Sequence, residues 1–159
     1  MKKDREMTDS TSKDKPRFQV VIMEPRLKAL VVDDDRVSRT VISELLAQQN
    51  VEVTESSNGL DAIFDLHERQ PDFIVLDHHM PVVSGEKVYA AIRRRPMFED
   101  IPVIVLSGTL DMSVVKLFLQ HGKPEFLVKP VDPARLADLL SAIRKAKSGK
   151  EETPGRSSE

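Results

Sequence analysis

Residues 73–81 read FIVLDHHMP, and the change from apolar to acidic inside that stretch decides the fold. Residues 73–76 are too few for a helix and too uniformly apolar for a strand with one face in water. They fit a strand buried on both faces that ends on Asp77. Working outward, the pattern recurs. Residues 29–32 (ALVV) run into Asp33-Asp34-Asp35, residues 102–106 (PVIVL) into Ser107, and residues 126–128 (FLV) into Lys129-Pro130. Residues 51–55 (VEVTE) alternate as a fifth strand.

The intervals carry helical spacing. Residues 36–49 place Val37, Val41 and Leu45 beside Ile42 and Leu46, and Asn50 suits the left-handed position after a helix. Asn58-Gly59 is a turn signal, and residues 60–70 form a helix with Leu60, Ile63 and Phe64 inward, stopped by Pro71. Residues 85–95 are helical through Val88, Ala91 and Ile92. Residues 112–121 are helical up to Gly122. Asp132-Pro133 supplies a cap and a first-turn proline for a helix to about residue 145, with a stripe of Leu136, Leu140 and Ile143 and Leu139 beside it. Five strands alternating with five helices imply an α/β fold, a parallel sheet covered on both faces.

Composition sets the bounds. The 159 residues are 40% hydrophobic and 31% charged, the balance of one globular domain with trimmings. There is no cysteine, which excludes disulfides, thiolate metal sites and cysteine nucleophiles. A net charge of −2 gives no basic field for nucleic acid or anionic lipid. No apolar run approaches a membrane span, and no apolar stretch follows the charged N-terminus as in a secretory signal. A cytoplasmic location is the default. Residues 1–17 read as a flexible arm, 18–26 as an extra strand-like or docking segment, 27–146 as the domain, and 147–159 as a flexible tail. Residues 18–23 (FQVVIM) either add a strand at a sheet edge, here or in a second subunit, or dock as coil.

Ligands of open α/β sheets bind at the carboxyl ends of the strands. There the sequence gathers Asp33, Asp34, Asp35, Asp77, Ser107 and Lys129. Clustered carboxylates repel unless a cation sits among them, and oxygen ligands favour a hard ion such as Mg²⁺. A hydroxyl and an ammonium facing a carboxylate suggest a phosphoryl group. Together these residues suit Mg²⁺-assisted phosphoryl transfer onto a carboxylate. His78-His79 makes a poor metal pair, because adjacent residues leaving a strand point apart and no third ligand is in sight.

The four pieces LVVDDDR (30–36), IVLDHHMP (74–81), VIVLSG (103–108) and FLVKP (126–130) together resemble the receiver domain of two-component response regulators, in order and in spacing. The resemblance covers about residues 27–146. It implies a flavodoxin-like doubly wound sheet of order 2-1-3-4-5. It implies that Asp77 is the phosphoacceptor and that Mg²⁺ is held by Asp33, Asp34, Asp77 and the backbone carbonyl of His79. Ser107 and Lys129 would bind the phosphoryl oxygens, Lys129-Pro130 would be cis, and Phe126 would be the switch aromatic. The side chains of His79 and Thr109 line the mouth and would tune turnover. The donor would be a histidine kinase or histidine phosphotransfer protein. Three departures from the family pattern stand out: His78-His79 after the acceptor, Ser84 where an acid is common, and Lys123-Pro124 before the last strand.

In helix four, Val114, Leu117 and Phe118 form one stripe expected to cover the sheet. Val115, Leu119 and Phe126 are expected to form an apolar patch for a downstream protein or for a homodimer, on the family's output face of helix four, strand five and helix five. With only a tail after helix five, a stand-alone receiver is expected, signalling directly or relaying phosphate, with no nucleic-acid or membrane partner. Two other classes compete. A haloacid-dehalogenase-type phosphatase would use Asp33 and Asp35, but it leaves Asp77 idle and lacks a later acidic pair. A pseudo-receiver would dock partners without phosphate.

Overall fold

In the computed structural model, which describes residues 25–151, strands and helices alternate along these residues. Strands β1 (Leu27–Val32), β2 (Val51–Ser56), β3 (Phe73–Asp77), β4 (Val103–Ser107) and β5 (Glu125–Val128) form one parallel sheet in the order β2-β1-β3-β4-β5. Helices α1 (Arg36–Gln48), α2 (Gly59–Arg69), α3 (Gly85–Arg93), α4 (Met112–Leu119) and α5 (Pro133–Glu151) connect and cover it. A short 3₁₀ turn, Pro96–Phe98, follows α3. This is the doubly wound, flavodoxin-like architecture the sequence led to. Its sheet order reverses beside β1 and β3, where such folds bind ligands.

The two sheet faces make two cores. One packs Ile42 and Leu46 of α1 and Leu136 and Leu140 of α5 against Ala29, Val31, Val75 and Leu106. The other packs Ala62 and Leu66 of α2, Tyr89 and Ile92 of α3 and Phe118 of α4 against Leu30, Leu76 and Val105. β3 and β4 are buried at every residue, as the unbroken apolar runs require.

Each helix starts with a cap at the same edge of the sheet. Asp35, Asn58, Ser84 and Asp111 accept a backbone N–H three residues on, and Asp132 accepts that of Ala134. Each satisfies a donor that the first turn leaves unpaired. Ser84, which departs from the family pattern, is thus the cap of α3. Asn58 caps α2 rather than forming an isolated turn. Asn50 is left-handed (φ 61°), as expected.

Helix phase is where the structure corrects the sequence reading. Val37 and Val41 are exposed, and α1 buries Ile42 and Leu46 instead. Leu60 and Phe64 point outward at 73% and 66% exposure, while Ala62 and Leu66 face the sheet with Ile63 beside them. In α4, Leu117 is exposed, and Phe118 with Val114 covers the sheet. The reason is common to all three. The sheet surface chooses which of two neighbouring apolar stripes it accepts, and small residues such as Ala62 let a helix approach closely.

Boundaries shift as well. α3 ends at Arg93, and α4 ends at Leu119. α5 runs on to Glu151, so residues 147–151 are helical rather than part of a tail. Lys147 ties that last stretch to Asp72 through an ion pair of 3.1 Å. The arm of residues 1–17 and the segment 18–23 lie outside the described residues, as does the chain beyond Glu151.

Candidate functional site

Parallel pairing brings the strand ends level. Val32 pairs with Leu76, Asp77 with Leu106, and Ser107 with Val128. Backbone bonds continue the ladder past the strands: His78 N–H donates to Leu106 O (2.8 Å) and Lys129 N–H to Ser107 O (2.8 Å). Asp33, Asp77, Ser107 and Lys129 are therefore fixed to one edge by main chain, before any side chain takes part.

Asp33 is buried, and its carboxylate is held on all sides. Oδ1 accepts the N–H of Asp35 at 2.9 Å, and Oδ2 accepts Ser38 Oγ at 2.7 Å and Lys129 Nζ at 3.2 Å. Arg39 donates to the Asp33 carbonyl at 2.8 Å and to Glu55 at 3.1 Å, tying α1 to β1 and β2. Asp77 is 5% exposed, and Lys129 Nζ lies 2.9 Å from its Oδ1. Asp33, Asp34 and Asp77 each present a carboxylate oxygen, all within 4.8 Å of one another. Asp35 does not join them, because its carboxylate caps α1 by accepting Ser38 N–H at 2.9 Å. Oxygen donors only, one of them on exposed Asp34, fit a hard divalent cation that keeps some of its water.

The charges are unevenly balanced. Burial pushes the Asp77 carboxyl above its usual range; the Lys129 hydrogen bond pulls it down, and the charges on Asp33 and Asp34 raise it again. For Lys129, burial works against the ammonium, but the bonds and charges of Asp77 and Asp33 prevail and raise its pKa. One cation thus serves two buried carboxylates, which leaves room for a second. An Asp raised on folding favours the folded state only at acid pH and opposes it once ionised. Asp77→Asn should therefore stabilise the metal-free protein at about pH 7 by on the order of 1 kcal/mol, a few degrees in Tm. Thermal unfolding in EDTA checks this; a lower Tm for the variant would contradict it.

Around this centre, the Ser107 hydroxyl is turned into its own loop, donating to Thr109 O at 2.5 Å and accepting Thr109 N–H at 3.3 Å. Thr109 is exposed at the mouth. His79 is also exposed, and its ring stacks on His78 at 4.7 Å. Among the described residues, neither ring nitrogen of His78 has a hydrogen-bond partner; burial and then the neighbouring His79 lower its pKa, against a smaller pull from Asp111. His78 meets Phe118 edge-on at 5.6 Å, and Phe118 meets Phe126 edge-on at 5.7 Å. Phe126 is half-buried, and the Lys129-Pro130 peptide is cis. On the flank, Val115 is half-buried, whereas Leu119, Leu117 and Val128 are exposed.

Ser38, Arg39 and Gly85 were not singled out by the sequence reading. Ser38 had a visible signal, since Asp35 as cap puts it in the first turn facing back to β1. Gly85 had little. Its N–H donates to His78 O at 3.1 Å, and a Cβ there would stand 2.2 Å from Asp77 O. The first residue of α3 lies against the backbone that carries the acceptor.

An acidic trio, a lysine and a hydroxyl meet at the carboxyl edge of a 2-1-3-4-5 sheet. A family model described as "Response regulator receiver domain" matches residues 29–141. The chain belongs to this family of two-component signalling domains. The two-component response regulator ORR3 of Oryza sativa subsp. indica is 31% identical over 123 residues, covering 77% of this chain and 94% of that protein. The transcriptional regulatory protein BtsR of Escherichia coli K12 is 32% identical over 124 residues, covering 77% of this chain but only 50% of BtsR. Among solved structures, the chemotaxis protein CheY4 of Vibrio cholerae superposes with a TM-score of 0.71 at 26% identity, over 75% of this chain and 99% of that one. The receiver domain of the sensor histidine kinase PA1611 of Pseudomonas aeruginosa, solved with magnesium in its active-site cleft, gives 0.68 at 27% identity, over 74% and 97%. No described helix is long and apolar enough to cross a membrane.

Proposed function

We propose that this receiver accepts a phosphoryl group on Asp77 from a phosphohistidine of a histidine kinase or phosphotransfer protein. The observation that carries the reading is the Lys129 ammonium bridging Asp33 and Asp77 beside exposed Asp34. Asp33, Asp34, Asp77 and the His79 carbonyl would hold Mg²⁺, which supplies charge neutralisation at the transferring phosphoryl group. An Asp77 carboxylate oxygen forms the new O–P bond as the donor's P–N bond breaks, and the donor imidazole leaves with a proton from solvent. Lys129 then turns its charge to a phosphoryl oxygen. Ser107 exchanges its Thr109 bonds for another such oxygen, and Phe126 follows it inward against Phe118. His79 and Thr109, both exposed at the mouth, control how water reaches the acyl phosphate and so its lifetime.

The domain works as a stand-alone regulator in this reading, in the cytoplasm, catalysing only its own phosphorylation and dephosphorylation. The near-complete coverage of ORR3 supports that reading; the half coverage of BtsR is its counterweight. Output runs through the α4–β5–α5 face, where exposed Leu119 and half-buried Val115 and Phe126 offer apolar contact to a target or a second copy.

Incubation with a small-molecule acyl phosphate, followed by a phosphate-binding gel, tests the reading. Mg²⁺-dependent labelling that disappears in Asp77→Ala is expected. Absent labelling with intact Mg²⁺ binding would overturn it in favour of a docking module.

A further inference from the structure

The first turn of α1 closes a ring of hydrogen bonds on Asp33. Asp33 Oδ1 accepts the N–H of Asp35 at 2.9 Å, and the Asp35 carboxylate accepts the N–H of Ser38 at 2.9 Å. The Ser38 hydroxyl then returns to Asp33 Oδ2 at 2.7 Å. One residue on, Arg39 donates to the Asp33 carbonyl at 2.8 Å, so α1 grips both the main chain and the side chain of Asp33. Asp33 is 1% exposed, and solvent is a poor substitute for a donor lost there.

The ring limits how Asp33 can bind a cation. A carboxylate carries about four lone-pair positions. Among the described residues, Asp35 takes one on Oδ1, while Ser38 and Lys129, the latter at 3.2 Å, take those of Oδ2. What remains lies on Oδ1. The two donors at Oδ2 differ in kind. Lys129 is shared with Asp77 at the shorter distance of 2.9 Å and stands on a long, flexible stem. Ser38 is short, and its own N–H is held in the cap of α1.

We infer that Ser38 is a positioning residue that keeps Asp33 a one-oxygen ligand and thereby sets the preference of the site for Mg²⁺ over Ca²⁺. Mg²⁺ demands near-octahedral geometry, takes few protein oxygens and keeps several waters. Ca²⁺ takes about six to eight oxygens and accepts both oxygens of one carboxylate. A carboxylate pinned at Oδ2 suits the first ion and denies the second a ligand. The inference rests on the proposed cation role of Asp33, Asp34 and Asp77, and adds the residue that selects the ion.

An isosteric pair tests it, since threonine keeps the hydroxyl and valine replaces it with a methyl of the same shape. Mg²⁺ and Ca²⁺ are titrated separately into the full chain and read by the amide NMR shifts of residues 33–39. Ser38→Thr should hold the wild-type ratio of Mg²⁺ to Ca²⁺ affinity within about 2-fold, and Ser38→Val should lower it by ~10-fold. Ser38→Ala adds no bulk, should behave as Ser38→Val, and replaces it if valine does not fold. Equal weakening for both ions would show that the hydroxyl only stabilises α1. That result, an unchanged ratio in Ser38→Val, or a loss as large in Ser38→Thr would each overturn the inference. None of them touches the proposed function, which is judged separately by Mg²⁺-dependent labelling of Asp77. A wild-type chain that shifts with neither ion would overturn the inference and the cation role together.

Discussion

Lys129→Ala should cost about 3 kcal/mol of folding stability at neutral pH without Mg²⁺, because it takes the shared ammonium from two buried carboxylates. Asp33 keeps its bonds from Ser38 and from the Asp35 N–H, but Asp77 loses the ammonium that pairs with it. Asp77 already sits above the usual carboxylate range with the lysine present, and removing the lysine moves it further up. The sign follows. An ionised Asp77 opposes folding, so the cost is largest above its folded pKa and shrinks as acid protonates it. Urea melts at about pH 7 and about pH 4.5 should therefore show the variant approaching wild type at the lower pH. Mg²⁺ should restore much of the neutral-pH loss, since a cation bound only by the folded state stabilises by mass action. A cost that is equal at both pH values would show that Lys129 contributes packing, not charge.

Gly85→Ala should be nearly as damaging for a steric reason. The added methyl would lie 2.2 Å from the Asp77 carbonyl oxygen and 3.0 Å from His78 Cα. The first ends the fully buried strand β3 and the second follows it directly, and main-chain atoms cannot rotate away. Either α3 withdraws, breaking the Gly85 N–H bond to His78 O and loosening Val88 and Ile92, or the end of β3 moves. The expected cost is about 3 kcal/mol, roughly 6–12 °C in Tm. Gly108→Ala is the matched control. It has nothing within 4 Å of a new Cβ and should change stability by no more than about 0.5 kcal/mol. Phosphoryl acceptance should also slow in Gly85→Ala, because any shift of residues 77–78 misplaces the accepting oxygen. Equal Tm values for the two glycine variants would refute the close approach.

The sequence by itself determined the alternation of five strands and five helices and the residues at the strand ends. Those signals are local. Short apolar runs bounded by turn signals read as strands, buried at every residue in β3 and β4 but half-exposed in edge strand β5, and Asp33, Asp77, Ser107 and Lys129 end them. Caps such as Asp132, and the left-handed Asn50, are written into single residues as well. Only the tertiary structure decided which stripe of each helix is buried. Val37 and Val41 compete with Ile42 and Leu46 on equal terms in the sequence, as Leu60 and Phe64 do with Ala62 and Leu66. The sheet surface breaks the tie, because it is made of residues distant in the chain. The same holds for Ser38 on Asp33, for Gly85 against Asp77 and for Lys147 on Asp72. Each is a distance between segments, and a distance between segments exists only after parallel pairing has set the register.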